Sequence, residues 1–319
     1  GQSHQREGHA LKRCLWLLLI ASTSLVAASD FDYGLKARQI AEGVYVFEGR
    51  REHFTRDNGG NIVNTGFIQT DAGAVVIDTG PSRRYGEQMR RAIEANTGKG
   101  IAKVFITHAH PDHFLGNQAF DPENIAAASQ TVSTISQAGE DLSENLYRLV
   151  GGWMQGTEAV APVKVVESGV IDIGGRTFRL IVDTGHTASD LAVLDEQTGT
   201  LFAGDLVFLD RAATTPSADI ERWLEALTRL EKLPVKQIVP GHGPVAEAGE
   251  GIAQTRAYLI WLRNALSDAA SRGLDMNEAM KINAPEAFRK LGVFDEEFQR
   301  SVIHLFPEIE EQAFGSANQ

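Results

Sequence analysis

Short apolar runs rich in Val, Ile and Phe recur along the chain, and Gly, Asp or Thr usually closes them. Runs of this length with these closing residues are typical of β-strands, several of them buried on both faces. The runs occupy residues 44–49, 62–70, 74–80, 104–108, 163–168, 177–185, 191–199, 201–205 and 237–242. Each of them is a predicted strand.

Segments of helical period lie between these runs. Apolar side chains recur every three or four residues in 82–97 and in 219–231. Strands that are interleaved with helices predict sheets covered by helices, which is an α/β layered domain.

Two further segments lack the strand pattern. The segment from 129 to about 157 is polar and of helical character, and it is either a cover over a site or a plain packing helix. From about 250 the strand signals stop, and amphipathic periods predict a C-terminal helical extension. The predicted division is a signal peptide at 1–28, a main domain at 29–248 and the extension at 249–319.

The first 28 residues have the outline of a secretory signal peptide. Lys12 and Arg13 precede the apolar run LWLLLIASTSLVA, which ends in small residues near Ala28. A membrane anchor is the alternative, but about 13 apolar residues fall short of the roughly 20 that span a bilayer. We therefore expect export to the periplasm or the medium, with membrane contact only before cleavage. Cys14 is the only cysteine, so the mature protein would have no disulfide and no thiolate ligand.

The charge of the chain argues against nucleic acid as a partner. The formal net charge is −12, and removal of residues 1–28, with three cations and one anion, would make it −14. Such a surface repels phosphate backbones, and the sequence has no basic stripe interleaved with aromatic residues. A small molecule is the expected substrate.

The stretch THAHPDHFLGN at 107–117 is the densest group of potential ligands in the sequence. Side chains two apart in an extended segment point the same way, so His108 and His110 can bind one ion. Pro111 is expected to bar a helix and turn the chain, so that Asp112 and His113 face elsewhere. This spacing suits two metal ions side by side.

Three more potential ligands follow predicted strands beside glycine. They are His186, Asp205 and His242, and glycine lets the backbone approach a site closely. A lone histidine is usually structural, and His53 and His304 remain outside the pattern. For the whole set, together with Asp112, a metal site is the favoured interpretation.

The motifs HAHPDH at 108–113, GHT at 185–187, GD at 204–205 and GHG at 241–243 resemble those of the metallo-β-lactamase superfamily. The resemblance covers about residues 40–245. It implies an αββα sandwich with the site at one edge, between the two sheets. Asp78 in VIDTG matches a supporting motif of the superfamily, and a simple turn residue is the rival interpretation.

The resemblance also implies a ligand set and a chemistry. It implies His108, His110 and His186 on one zinc, Asp112, His113 and His242 on the other, and Asp205 bridging them. Nitrogen and oxygen ligands favour Zn²⁺, with manganese or iron as alternatives. A water held between two ions would lose its proton near neutral pH, and Asp112 would orient this nucleophile and pass on its proton.

Within the superfamily, Asp205 stands where true zinc β-lactamases have cysteine or serine, so class B β-lactamase activity is not the first choice. The export signal, residues 208–227 and the tail segments YLIWLRNAL and RSVIHLFPEIE resemble a periplasmic branch named for quinoprotein relay systems. The expected activity is hydrolysis of an ester, thioester or lactone. The alternatives are a mononuclear iron persulfide dioxygenase and a non-catalytic accessory protein of a quinoprotein or sulfur-oxidation system.

Substrate-binding residues are expected in the loop at 206–217. Phe208, Asp210 and Arg211 would line the entrance, where the guanidinium would hold an anionic group; alternatively Arg211 pairs with Asp210 or closes the loop. His304 either reaches the site or packs in its helix. Three asparagines, at 58, 61 and 64, either shape a hairpin at the rim of the site or serve only as turn residues.

Overall fold

Two β-sheets packed face to face form the centre of the molecule. The computed structural model describes residues 31–317, so the predicted signal peptide lies outside the described residues. The first sheet has seven strands in chain order: β1 (Arg38–Ala41), β2 (Val44–Phe47), β3 (Thr65–Thr70), β4 (Gly73–Ile77), β5 (Ile101–Phe105), β6 (Ile125–Ala128) and β7 (Lys164–Val166). The first four strands pair antiparallel, and β4 to β7 pair parallel.

The second sheet also follows the order of the chain. Its six strands are β8 (Gly169–Ile173), β9 (Arg176–Asp183), β10 (Asp190–Asp195), β11 (Thr200–Phe208), β12 (Gln237–His242) and β13 (Ala246–Glu247). All neighbours are antiparallel except β11 and β12, which are parallel. A parallel pair needs a crossover, and a helix supplies it.

Eight α-helices surround the sheets in the described part of the chain. They are α1 (Arg83–Thr97), α2 (Pro111–Phe114), α3 (Ser129–Val150), α4 (Ile220–Leu230), α5 (Ala248–Ser271), α6 (Met276–Ala279), α7 (Glu286–Arg289) and α8 (Phe294–Ala317). Between residues 31 and 317, no helix combines the length and the hydropathy needed to cross a bilayer.

Three hydrophobic clusters hold these layers together. The cluster between the sheets includes Ile68 and Phe105 from the first sheet and Phe178 and Phe202 from the second. On the outer face of the first sheet, side chains of α1 and α3 pack on the alternate strand positions. On the outer face of the second, α4, α5 and α8 form the largest cluster. The predicted αββα sandwich with a helical C-terminal region is confirmed.

Each of the predicted strands overlaps a strand in the structure, with the smallest overlap at β5, but four strands were not predicted. β6 reads IAAA, and alanine carries little strand signal although all four residues are buried. The short edge strands β1 and β8 are largely exposed, and β13 has two residues. The C-terminal helical region begins with α5 at Ala248, and its helices share a hydrophobic core with the second sheet. The division of the chain into a main domain and a C-terminal extension stays a prediction.

A buried ion pair joins the two sheets near one end. Arg176 of β9 donates from Nε and Nη2 to the two carboxylate oxygens of Asp195, at 2.8 and 2.7 Å. Its Nη2 also donates to Glu42 O at 2.9 Å and its Nη1 to Gln69 O at 3.3 Å, so the guanidinium reaches across to the first sheet. The Asp195 side chain is fully buried.

We expect Arg176→Met to lower the free energy of unfolding by about 3–5 kcal/mol, because it leaves Asp195 buried without its partner. Arg179→Met is the matched control on the same strand, since Arg179 pairs with Glu196 at the surface, and it should cost less than about 1 kcal/mol. Urea unfolding of both variants measures the difference. Equal losses would contradict the role of the buried pair.

Candidate metal centre

Seven side chains converge where strands of both sheets end at the same edge. The segment that follows β5 provides His108 and His110, and α2 provides Asp112 and His113. The expectation that Pro111 bars a helix is wrong, because Pro111 is the first residue of α2. Its fixed φ suits a first helical turn, where its missing N–H is not needed.

The remaining three ligands come from the second sheet and its loops. His186 lies in the loop after β9, and His242 is the last residue of β12. Asp205 lies inside β11 and not at its end, because the strand continues to Phe208. The register of β11 against β12 shifts at Gly204, whose φ of 53° is left-handed, and the irregularity marks the point where Asp205 enters the site.

The first ligand group joins three imidazoles and one carboxylate. His110 Nδ1 lies 3.1 Å from His108 Nε2 and 2.9 Å from His186 Nε2. Asp205 Oδ2 lies 3.3 Å from His186 Nε2 and 3.8 Å from His108 Nε2. Four potential ligand atoms therefore surround one point.

The second group adjoins the first and shares Asp205 with it. Asp112 Oδ2 lies 3.4 Å from His242 Nε2 and 3.7 Å from His113 Nε2. Asp205 reaches this group with both oxygens, because Oδ1 lies 3.2 Å from His113 Nε2 and Oδ2 lies 3.3 Å from His242 Nε2. Asp205 thus contacts histidines of both groups.

The donor set fits two metal ions. Asp205 Oδ1 and His113 Nε2 are buried and have no hydrogen-bond partner among the described residues. Such atoms are costly unless a cation or water satisfies them. Three or four nitrogen and oxygen donors lie around each of two adjoining points. This is the ligand chemistry of Zn²⁺, with manganese and iron as alternatives.

The ligand histidines differ in protonation. Burial lowers the pKa values of His108 and His186 well below the ordinary range, so their imidazoles are neutral with lone pairs available. Burial also lowers the pKa of His113, but the carboxylates of Asp205, Asp112 and Asp78 together raise it well above its usual value. A cation bound at His113 therefore displaces a proton.

Asp78 supports both the turn after β4 and His113. Its Oδ2 lies 2.8 Å from His113 Nδ1, and its two oxygens accept from the backbone N–H and the hydroxyl of Thr107, each at 2.8 Å. Its φ of 57° is left-handed. The residue thus combines the two roles considered for it, because the turn brings the carboxylate behind the imidazole that it orients.

Two residues hold the segment at 240–243 against Asp205. A Cβ on Gly241 would lie 1.9 Å from Asp205 Oδ1, so only glycine allows this approach. Asn64 Nδ2 donates to Pro240 O at 2.9 Å and to Gly243 O at 2.6 Å. Asn64 therefore supports the metal site. The other two asparagines do not: the Asn58 side chain accepts backbone N–H groups of a local turn, and Asn61 makes backbone hydrogen bonds within the same loop.

A cavity of about 690 Å³ opens over the ligands. Its floor includes His110, Asp112, Asp205 and His242. The predicted cover at 129–157 is α3 followed by a 3-10 turn, and one face of this helix lines the cavity. His53 and His304 lie at the cavity, away from both ligand groups.

The expected position of Phe208 needs correction. Phe208 does not line the entrance; it is fully buried and stacks on His242, with ring centroids 5.3 Å apart. Arg211 lines the cavity but is almost fully buried, and its Nη2 donates to Glu297 Oε1 at 3.3 Å. Asp210 does not line the cavity and is not the partner of Arg211, because it pairs with Arg51. Arg211 does close its loop, since its Nη1 donates to Ala212 O and to Thr214 Oγ1, both at 3.2 Å. The sequence offered no signal for Glu297, which lies 86 residues away.

Arg300 of α8 is a cavity residue that the sequence analysis missed. Its Nη1 donates to both oxygens of Glu297, at 3.0 and 3.1 Å, and 39% of its side chain is exposed. The i,i+3 spacing to Glu297 is a signal for a helical ion pair. Nothing in the spacing indicates that this pair faces the site.

Comparisons with known proteins agree with this geometry. A family model described as the metallo-beta-lactamase superfamily matches residues 58–242. An atrochrysone carboxyl ACP thioesterase from Aspergillus fumigatus is 26% identical over 231 residues, which cover 70% of this chain and 66% of that protein. An acyl-coenzyme A thioesterase from Bos taurus is 27% identical over 210 residues, which cover 57% of this chain and 74% of that protein.

Solved structures share the fold. A metallo-beta-lactamase from Pontibacter korlensis matches with a TM-score of 0.58 and 23% identity, covering 71% of this chain and 99% of that one. At this identity the likeness concerns the fold alone. The chain spans about half to two thirds of the length of the first curated relatives that it matches.

We expect Gly241→Ala to weaken metal binding by about 10- to 100-fold, because the new methyl group displaces the Asp205 carboxylate. Competition with a chelator measures the affinity, and near-ultraviolet circular dichroism checks the fold. Gly249→Ala is the matched control, since no atom lies within 4 Å of a Cβ at that position. Wild-type metal affinity in a folded Gly241→Ala protein would refute the close approach.

Proposed function

The chain belongs to the metallo-beta-lactamase superfamily, and within it we propose that the protein is a dizinc hydrolase of acyl thioesters or related esters. The observation that carries the proposal is the position of Asp205. Its carboxylate lies within 3.3 Å of His186, His113 and His242, and so joins two ligand groups at the floor of one cavity. A shared carboxylate is suited to two ions held side by side.

The residues around the site have distinct proposed roles. His108, His110 and His186 would hold one zinc, Asp112, His113 and His242 the second, and Asp205 both. Zinc held by these residues would supply a water of lowered pKa and a Lewis acid for a substrate carbonyl. Asp112 would orient this water and accept its proton. One water is consumed, the acyl C–S or C–O bond breaks, and an acid and a thiol or alcohol are released.

The choice of a thioester or ester rests on the relatives and on the ligand set. Two relatives with 26% and 27% identity are named thioesterases. The site has carboxylates at 112 and 205 and no thiolate, because no cysteine lies among residues 31–317. Membership of the quinoprotein relay branch stays a prediction, since the comparisons reach only the superfamily.

The location and the partners are also proposals. The pattern of residues 1–28 supports export to the periplasm or the medium. N-terminal sequencing of the exported protein tests this proposal. A retained Lys12–Arg13 segment would refute cleavage near Ala28. The net charge of −12 supports a small-molecule substrate over nucleic acid.

We expect Asp112→Ala to lower kcat by about 10³-fold or more, because one change removes a ligand and the group that orients the water. Steady-state kinetics on a panel of thioesters, esters, lactones and a β-lactam measure the loss. Asp268→Ala is the control, because Asp268 is an exposed residue of α5 that pairs with Arg272 and does not line the cavity; it should stay within about twofold of wild type. Unchanged turnover of Asp112→Ala would refute the assignment.

We expect protein purified without added metal to contain two zinc ions per chain. A chelator should abolish hydrolysis, and added Zn²⁺ should restore it, because both ligand groups are needed for the chemistry. One iron per chain with oxygen consumption would instead support a persulfide dioxygenase. Metal-loaded protein that hydrolyses no member of the panel would support the accessory role.

A further inference from the structure

One wall of the cavity is formed by α3. The helix contributes polar side chains at 130, 131, 134 and 145, and a row of apolar ones from Ala138, Leu142, Leu146 and Leu149. The spacing of three or four residues places the apolar row on one side of the helix. Leu149 ends this row, and 47% of it remains exposed. This wall offers hydrocarbon contact along several turns of helix.

A second wall has the opposite character. Arg211 and Arg300 both line the cavity, and both donate to the carboxylate of Glu297, which is fully buried. Thr214 Oγ1 donates to the same carboxylate at 3.0 Å. One carboxylate faces two guanidinium groups, so this cluster carries a net positive charge.

The excess charge is available to a ligand at Arg300. Both of its bonds to Glu297 use Nη1, and 39% of the side chain is exposed. Among the residues that line the cavity, the only carboxylates are those of Asp112 and Asp205, which belong to the metal centre. A guanidinium in this setting is suited to a phosphate or carboxylate oxygen.

We infer that the substrate is amphiphilic, with an apolar acyl chain along α3 and an anionic group beyond the scissile bond paired with Arg300. The inference rests on the proposed function, because it places the scissile bond over the metal centre between the two walls. Glu297 holds Arg300 in position, and Arg211 fixes Glu297. A phosphate-bearing or a carboxylate-bearing leaving group has the required charge.

Binding of thioethers that cannot be hydrolysed tests the anionic part. The probes are S-decyl-coenzyme A with phosphates, S-decyl-glutathione with carboxylates and the neutral S-decyl-N-acetylcysteamine, titrated calorimetrically into the zinc-loaded protein. We expect at least one anionic probe to bind about tenfold more tightly than the neutral one, and the tighter of the two identifies the anion.

Variants of two helical ion pairs make this test specific. Arg300→Gln should remove most of the preference for the anionic probe while leaving the Kd of the neutral probe within about twofold. Arg272→Gln is the matched control, because Arg272, which directly follows α5, pairs with Asp268 of that helix and does not line the cavity. It should keep the full preference. A wild-type protein without preference, or equal weakening of all probes by Arg300→Gln, would overturn the inference.

The apolar part is tested on the same helix. Replacing the decyl chain by butyl should weaken binding by about tenfold or more, since each buried methylene contributes up to about fourfold. Leu149→Ser should weaken binding of the decyl probe and leave binding of the butyl probe unchanged. Tyr147→Ser is the control and should leave the binding of both probes unchanged, because Tyr147 is 51% exposed and lies outside the cavity lining. Affinity independent of chain length would overturn the apolar assignment.

The two proposals fail separately. Binding of these thioethers does not require hydrolysis, so a protein that cleaves thioesters but shows no preference among the probes rejects only the amphiphilic substrate. A protein that shows both preferences but hydrolyses no thioester or ester rejects only the proposed function.

Discussion

The buried carboxylate of Asp205 is the constraint on which the rest of the site depends. Removing a carboxylate from water is costly, and burial raises its pKa, but nearby histidines, above all His242 and His113, hold that pKa well below the ordinary range. Those imidazoles can lie there only if strands from both sheets end at the same edge. Gly241 must also lack a side chain for the carboxylate to fit. The sandwich architecture and the local glycine therefore serve one charged group.

Much of this arrangement was predictable, because local spacing carries it. Alternation and apolar runs indicate strands, and a strand delivers the residues that follow it to the sheet edge, as β4 does for Asp78 and β5 for His108. The ligands follow short motifs whose geometry is fixed within a few residues. The structure brings all seven predicted ligands into two adjoining groups. The helical tail was equally visible from its period.

The remainder depends on contacts that no local pattern reveals. The alanines of β6 gain strand character only from burial between neighbours. Phe208 follows a ligand in sequence and so suggested an entrance residue, but the continuation of β11 turns its ring behind His242. The partner of Arg211 was not predictable either. Glu297 lies on a helix that packs beside it only in the folded chain.

The origin of the cavity walls has an evolutionary consequence. All seven ligands lie between residues 108 and 242, whereas Arg300 and His304 belong to α8, outside that interval. The proposed contact to the anionic group is therefore encoded apart from the metal ligands, whereas the α3 wall and Arg211 fall within the same interval as the ligands. A substitution at Arg300 can change the proposed preference for an anionic group without altering any metal ligand.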